Sequence, residues 1–435
     1  MSLQYWNTMQ DSANTRTVFF SGIGGIGMSA LAQLLYRRGD TVSGSDREES
    51  PVTELLASKG IDIVIGQKEE NVSEGIDLLV YSAAVPEDNP ERMRAKELGI
   101  PQMGYFEMLG AVSREYRTVA VAGTHGKTTT TGMLARALRD AGADPSAVVG
   151  SIVQDFGSNY LPGDSDLLVV EACEYQRHFL ELSPEVLVIT NLEFDHTDYY
   201  ESLEDVQDAF RALIKKVPAH GAIITDAEHP HIAPLLAGID TRIIDYTQEP
   251  EYPLSVPGEF NQHNARAAAA AARVIVPDVS MITLNDSLEA FRGTWRRFEY
   301  KGKMGSVEVY DDYAHHPTAI KETLRTLRER AKGRIFIAFH PHLYSRTRDL
   351  LDAFSRAFAD ADEVLIAPIY AAREIDDGSV SSEILAERIT AEGVHARAMS
   401  FGEIEETLRR EAKEGDTVMT MGAGDIYKVA NALIS

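Results

Sequence analysis

The chain has 435 residues, 44% hydrophobic and 25% charged, and its 42 lysines and arginines against 67 aspartates and glutamates give a formal charge of −25. That length exceeds one ordinary core and predicts two or three domains, while the acidic balance argues against nucleic acid or an anionic membrane as partner. A single cysteine, Cys173, excludes an intramolecular disulfide and suits a reducing cytoplasm, and no apolar run approaches the roughly 18 residues of a membrane span.

Residues 1–14 are polar and lack the basic-then-apolar layout of a signal peptide. Residues 17–20 read as a buried strand, followed by a turn containing Gly22, Gly24, Gly25 and Gly27 and an apolar-periodic helix through Leu35. A second strand at 41–45 ends on Asp46, about 20 residues after the glycines, the layout of a dinucleotide-binding βαβ unit whose acid reaches a ribose hydroxyl. With both strands in place the pattern specifies a Rossmann-like fold, but not which nucleotide it takes. Strands at 61–65 and 77–81 extend the parallel sheet, and the first domain is expected to span 1–114.

Residues 122–130, Ala-Gly-Thr-His-Gly-Lys-Thr-Thr-Thr, follow an apolar strand at 118–121 and open a helix at Lys127. Gly123 and Gly126 let the backbone N–H groups around Thr124, His125 and Thr129 turn toward a polyphosphate, and the helix start adds partial positive charge. Lys127 is placed for β/γ-phosphates, and the Thr128 hydroxyl for Mg²⁺ or Mn²⁺. Val121 stands where the general phosphate-loop pattern has its first glycine, but the strand–loop–helix context remains and predicts ATP binding.

Runs at 167–171 and 186–190 read as buried parallel strands, which carry ligands at their C-terminal ends. They deliver Glu171 and, six residues past the second, His196; a carboxylate and an imidazole beside a phosphate loop suit a divalent ion bridging a triphosphate. The alternative for both is a hydrogen-bonded strand-end residue. Cys173 reads as a packing residue rather than a nucleophile, and the alanine run 265–272 as a closely packed helix. This central domain is assigned 115–295.

Beyond it, strands at 307–310, 334–339, 363–367 and 417–421 alternate with helices, predicting a second Rossmann-like domain over 296–435. The overall class is therefore α/β in three domains: Rossmann-like, central phosphate-loop ATPase type, Rossmann-like. His315 and His316 are neighbours on extended chain and point to opposite faces, so hydrogen bonding to nucleotide or helix capping is favoured over a metal there. Arg296, Arg297 and Arg346 supply positive charge for a carboxylate or a transferring phosphoryl group, with a surface ion pair as the open alternative.

Taken in order, the strings 22–28, Gly44-Ser45-Asp46, 82–85 with Asn89-Pro90-Glu91, 123–129, 311–318, Pro341-His342 with 344–347, 370–374 and 421–426 resemble the Mur ligase family, which builds the peptide of bacterial cell wall precursors. The resemblance runs from Gly22 to Asp425 and is nearest to the branch that charges UDP-N-acetylmuramate with L-alanine. It implies that Gly22, Gly24, Gly25, Ile26, Gly27, Ser45, Asp46 and Ser82 hold a UDP-sugar rather than NAD. It implies ATP between the second and third domains, with Lys127, Thr128, Glu171 and His196 at the phosphate and metal positions, Asn264 near adenine, Asp312 near ribose and Arg297 beside the nucleotide. Tyr313, His342 and Arg346 match positions around the amino acid and the muramoyl carboxylate, and His342 is the candidate base for the amine. The implied activity is ATP-dependent amide formation through an acyl phosphate, in the cytoplasm, by a monomer or weak homodimer.

The chain departs from the family pattern at Cys173 and Tyr175, where aspartate and serine are usual, and at Leu343, where an arginine is often seen. The stretch between Tyr246 and Pro257 is short, and Lys215 and Lys216 do not align with the carbamylated lysine of sibling ligases. Three rivals remain: a sibling that attaches a wall tripeptide to the same UDP-sugar, an NAD-dependent dehydrogenase, and a non-catalytic nucleotide-binding scaffold.

Overall fold

Alternation of short β-branched runs with helices of 3.6 periodicity forces parallel pairing, because each strand must return over a helical crossover. The computed structural model describes Trp6 and residues 15–435; the polar stretch 1–14 otherwise lies outside the described residues. Strands β1 (Thr17–Ser21), β2 (Thr41–Asp46), β3 (Asp62–Ile65), β4 (Leu78–Tyr81) and β5 (Gln102–Gly104) form a parallel sheet in the order β3-β2-β1-β4-β5. Strand order reverses beside β1, so a crevice opens at the C-terminal ends of β1 and β4. Gly27 is the second residue of the Ile26–Arg37 helix, and a Cβ there would lie 2.5 Å from the Tyr105 ring.

The central sheet comprises β6 (Arg117–Ala122), β7 (Ser146–Val153), β8 (Ser158–Leu161), β9 (Leu167–Glu171), β10 (Val186–Ile189), β11 (Ala222–Thr225) and β12 (Arg242–Asp245). Their order is β12-β11-β10-β6-β9-β7-β8, with β8 antiparallel to β7. The phosphate loop leaves β6 at the middle of this sheet, between β9 and β10. The Glu259–Ile275 helix lays its buried alanines against the Lys127–Asp140 helix, because a methyl side chain permits the closest approach of two backbones.

The third sheet holds β13 (Glu299–Met304), β14 (Val307–Asp312), β15 (Ile335–Phe339), β16 (Glu363–Ile366), β17 (His395–Ala398) and β18 (Thr417–Met421) in the order β13-β14-β18-β15-β16-β17, β13 being antiparallel. Its two faces carry their own apolar cores. By contrast, one continuous core runs from the first domain into one face of the central sheet. A buried polar patch reinforces that junction: Gln33 Nε2 donates to Asn159 Oδ1 at 3.2 Å, and Asn159 Nδ2 to Ser29 Oγ at 2.9 Å. The first two domains therefore form one block, and the third joins it through the chain at Thr294–Arg297, where Arg297 N donates to Thr294 O.

The expected runs 167–171 and 417–421 coincide with β9 and β18, and the others shift by one or two residues. The sequence reading did not include β5, β7, β8, β11, β12, β13 or β17. Of these β12 and β17 are half-exposed edges and β13 is charged and paired antiparallel, so those three present no continuous apolar run, while β11 is a buried apolar run of only four residues. Among the described residues no helix is long and apolar enough to cross a membrane.

Candidate active site

The C-terminal ends of the central and third sheets face each other across a cavity of about 900 Å³, lined by the phosphate loop on one side and by Tyr313, His342 and Arg346 on the other. Gly126 caps the Lys127–Asp140 helix at φ 81°, a left-handed conformation that a side chain would strain. The loop is braced by the next strand end: His125 N donates to Asn191 Oδ1 at 2.8 Å and Thr190 Oγ1 to His125 O at 2.6 Å.

Lys127 Nζ is folded onto its own loop, donating to Gly123 O at 2.5 Å and Thr124 O at 3.1 Å and pairing with Glu174 at 2.9 Å. Burial opposes its charge, but Glu174 foremost and Glu171 outweigh burial and raise its pKa. The residues expected at a metal divide into two contacts. Thr128 Oγ1 donates to Glu171 Oε1 at 2.9 Å, and His196 Nε2 meets Glu174 Oε1 at 3.2 Å. Glu174, which sequence reasoning left without a role, is thus the acid joining Lys127 to His196. Burial would raise its pKa, yet Lys127 and His196 hold it below the usual carboxylate range. Burial pushes the Cys173 thiol up to about 12, so it stays neutral on the cavity wall.

The three arginines divide as well. Arg296 is buried and consumed: Nε pairs with Asp311 at 2.7 Å, while Nη1 and Nη2 donate to Gly424 O and Gly422 O at 2.9 and 2.7 Å. It is a strap across the third sheet and not a supply of charge for substrate, which corrects the sequence expectation. Arg297 faces the cavity, its guanidinium 4.9 Å from the Tyr313 ring and Nη2 3.5 Å from Thr128 Oγ1. Arg346 is buried, pairing through Nε with Asp195 Oδ1 at 2.8 Å and donating from Nη1 to His342 Nδ1 at 2.8 Å. Asp195 was missed in the sequence because it precedes His196 in an irregular segment with no period to read.

That last bond corrects the role expected of His342. A guanidinium has no acceptor, so Nδ1 must accept and Nε2 carries the ring proton. Burial first, then Arg346 and Arg373, push the His342 pKa down to about 3. The neutral ring offers a donor to the cavity, not a base. His342→Gln, which keeps an N–H donor, is expected to retain much more activity than His342→Leu, for which kcat falls roughly 10²-fold or more. The wild-type pH–rate profile should show no His342 limb between about pH 5 and 8; a limb in that range abolished by His342→Gln would restore the base.

Asp312 lines the cavity, but both of its oxygens already accept backbone N–H groups, from Phe298 and Ala314 at 2.6 Å each, so its first task is to shape that turn. Asn264 sits beneath Gly126, accepting from Thr130 Oγ1 at 3.1 Å and donating to Asn261 Oδ1 at 3.1 Å. In the first domain, Gly24 N donates to Asp46 Oδ2 at 2.8 Å, so Asp46 closes the glycine turn. Ser45 is buried with Oγ donating to Glu91 Oε2 at 2.7 Å, and its carbonyl accepts from Gly22 and Ile23. Its side chain therefore faces inward, which corrects the expectation of a substrate contact there. Ser82 follows β4 across from Gly22 and accepts from Ala84 N. Ile26 is the member of the glycine turn that also lines the large cavity. Leu343 is buried at φ 69° and supplies no charge where an arginine is often seen.

Three family models match successive parts of the chain: Mur ligase family, catalytic domain, over 17–117; Mur ligase middle domain over 121–252; and Mur ligase, glutamate ligase domain, over 296–424. The chain is 40% identical to a UDP-N-acetylmuramate–L-alanine ligase of Acetivibrio thermocellus, covering 98% of this chain and 97% of that one. Among solved structures it resembles the UDP-N-acetylmuramate–alanine ligase of Thermotoga maritima, with a TM-score of 0.78, 28% identity and 96% and 98% of the two chains covered. It also resembles a murein peptide ligase of Psychrobacter arcticus, with a TM-score of 0.72, 26% identity and the same coverage.

Proposed function

Because the chain belongs to the Mur ligase family, we propose that it joins the amino group of L-alanine to the carboxylate of UDP-N-acetylmuramate, converting ATP to ADP and phosphate in peptidoglycan precursor synthesis. The observation that carries this reading is the near-complete alignment, at 40% identity, with a ligase of that activity. The tripeptide-attaching alternative is not favoured, since the murein peptide ligase is the more distant structural relative. The dehydrogenase and scaffold readings leave the paired Lys127, Glu174 and His196 without a purpose. On this reading the enzyme works in the cytoplasm as a monomer or weak homodimer.

A carboxylate becomes acylating only when its oxygen is made a leaving group. The muramoyl carboxylate attacks the γ-phosphate in line, giving an acyl phosphate and ADP; the amine then attacks the acyl carbon and phosphate departs. Lys127 exchanges its loop carbonyls for phosphate oxygens, and Arg297 lies across the same cavity to meet the transferring group. The Thr128 hydroxyl, the Glu171 and Glu174 carboxylates and the His196 imidazole converge on the loop, a largely hard donor set that fits Mg²⁺ or Mn²⁺. An ion held there would supply neutralisation of phosphoryl charge. The His342 N–H is placed to orient the acyl group. His315 donates from Nδ1 to Tyr313 O at 2.9 Å, which leaves Nε2 as a free acceptor for the amine.

Phosphate release from ATP with UDP-N-acetylmuramate should be strongest with L-alanine, weaker with glycine or L-serine, and near background with the wall tripeptide. Release confined to the tripeptide would transfer the chain to the recycling activity.

A further inference from the structure

Three side chains without a part in that reaction meet where the phosphate loop touches the third domain. His125 stands in the loop, Glu193 follows β10, and His316 precedes the Pro317–Arg330 helix. His125 Nε2 lies 3.5 Å from Glu193 Oε2, and His316 Nδ1 lies 3.7 Å from the same oxygen. The three ligand atoms all fall within 4.8 Å of one another. Ligands at about 2.0–2.1 Å from a tetrahedral Zn²⁺ stand roughly 3.3 Å apart. Two of the separations therefore need to shorten by less than about half an ångström.

The surroundings are those of a ligand set. His316 Nε2 donates to Phe194 O at 3.3 Å, which fixes the tautomer and leaves the Nδ1 lone pair toward Glu193, held meanwhile by a long 3.4 Å contact from Thr318 N. Metal-bound imidazoles have such a carbonyl partner on the other nitrogen. Thr318 Oγ1 donates to the Glu193 carboxylate at 2.7 Å, and Glu193 N donates to Thr124 Oγ1 at 2.9 Å. His125 Nε2 is buried and makes no hydrogen bond among the described residues.

We propose that His125, Glu193 and His316 bind a divalent transition metal of the Zn²⁺ type, at a site separate from the phosphate-bridging ion and open to the cavity for a fourth, water ligand. Two imidazoles and one carboxylate select such an ion over Mg²⁺. Since His125 and Glu193 belong to the central domain and His316 to the third, the metal clasps the two domains together. The inference rests on donor geometry and is independent of which amino acid the enzyme joins.

The test is calorimetric titration of Zn²⁺ into the full-length protein under saturating Mg²⁺, with Co²⁺ absorption reporting coordination geometry. One equivalent should bind, Co²⁺ should give the intense visible bands of a tetrahedral site, and Glu193→Gln and His316→Asn should each weaken binding on the order of 100-fold or more. His196→Gln, on the phosphate side, should leave it unchanged. Thr318→Val, which keeps all three ligands, should weaken it about tenfold and serves if the ligand variants do not fold. Absence of stoichiometric binding, binding lost in His196→Gln but kept in Glu193→Gln, or an unchanged affinity in Thr318→Val would each overturn the assignment.

Discussion

Lys127→Ala is expected to abolish turnover, lowering kcat by at least about 10³-fold. The ammonium sits at the first turn of the Lys127–Asp140 helix, and its partners are two loop carbonyls and Glu174, all beside the space a polyphosphate would take. Phosphoryl transfer asks the protein for little besides position and positive charge, and this group supplies both. Its raised pKa keeps it charged across the working range, since protonation is lost only above the ordinary lysine value. The substitution also leaves Glu174 buried with His196 as its remaining charge partner, so a fall in thermal stability should accompany the loss. Single-turnover measurement of ADP formation separates the two effects: a folded, inactive variant supports the assignment, and an active one contradicts the phosphate-loop reading.

The second large effect is expected at Arg346→Met. Arg346, 1% exposed, lies on the Tyr344–Asp349 helix of the third domain and pairs with Asp195 of the central domain at 2.8 Å. Burial would raise the Asp195 pKa, but Arg346 foremost among its neighbours drives it well below the usual range. Removing one member of a buried pair leaves the other unpaired, at a cost of about 3–5 kcal/mol. The pair crosses the domain interface, so the penalty falls on closure. The same guanidinium fixes the His342 tautomer. Arg346→Met should therefore lower kcat roughly 10²-fold or more and lower the unfolding temperature together. Adding Asp195→Asn should recover stability but not activity. A single variant with wild-type stability would show that the pair does not hold the domains.

The phosphate loop was legible because glycine, lysine and threonine stand at fixed spacing after an apolar run, and β6 and the helix at Lys127 lie where that spacing requires. Parallel strands buried on both faces were legible at β9 and β18, whereas β11, as fully buried but only four residues long, was not read. What the sequence could not reveal is which of two near neighbours turns inward. Glu171 ends β9 and Glu174 lies three residues beyond it, yet the first accepts from Thr128 while the second pairs with Lys127 and His196. Arg296 and Arg297 are adjacent, yet φ 60° at Arg296 sends one side chain into Asp311 while the other faces the cavity. Ser45 looked like a strand-end contact, but Glu91, 46 residues away in sequence, draws it inward. The proton on His342 is set by Arg346, four residues later on a helical turn that begins at the left-handed Leu343. These are tertiary choices between equally polar neighbours, and no periodicity encodes them.

Transfer of oxygen from the muramoyl carboxylate to phosphate tests the central claim most directly. UDP-N-acetylmuramate carrying ¹⁸O in that carboxylate would be turned over with ATP and L-alanine, and the released phosphate examined by mass spectrometry. Attack of the carboxylate on the γ-phosphate predicts one ¹⁸O in each phosphate formed. Phosphate free of label would mean that ATP is cleaved by water or that another group is phosphorylated, and the acyl-phosphate route would be contradicted.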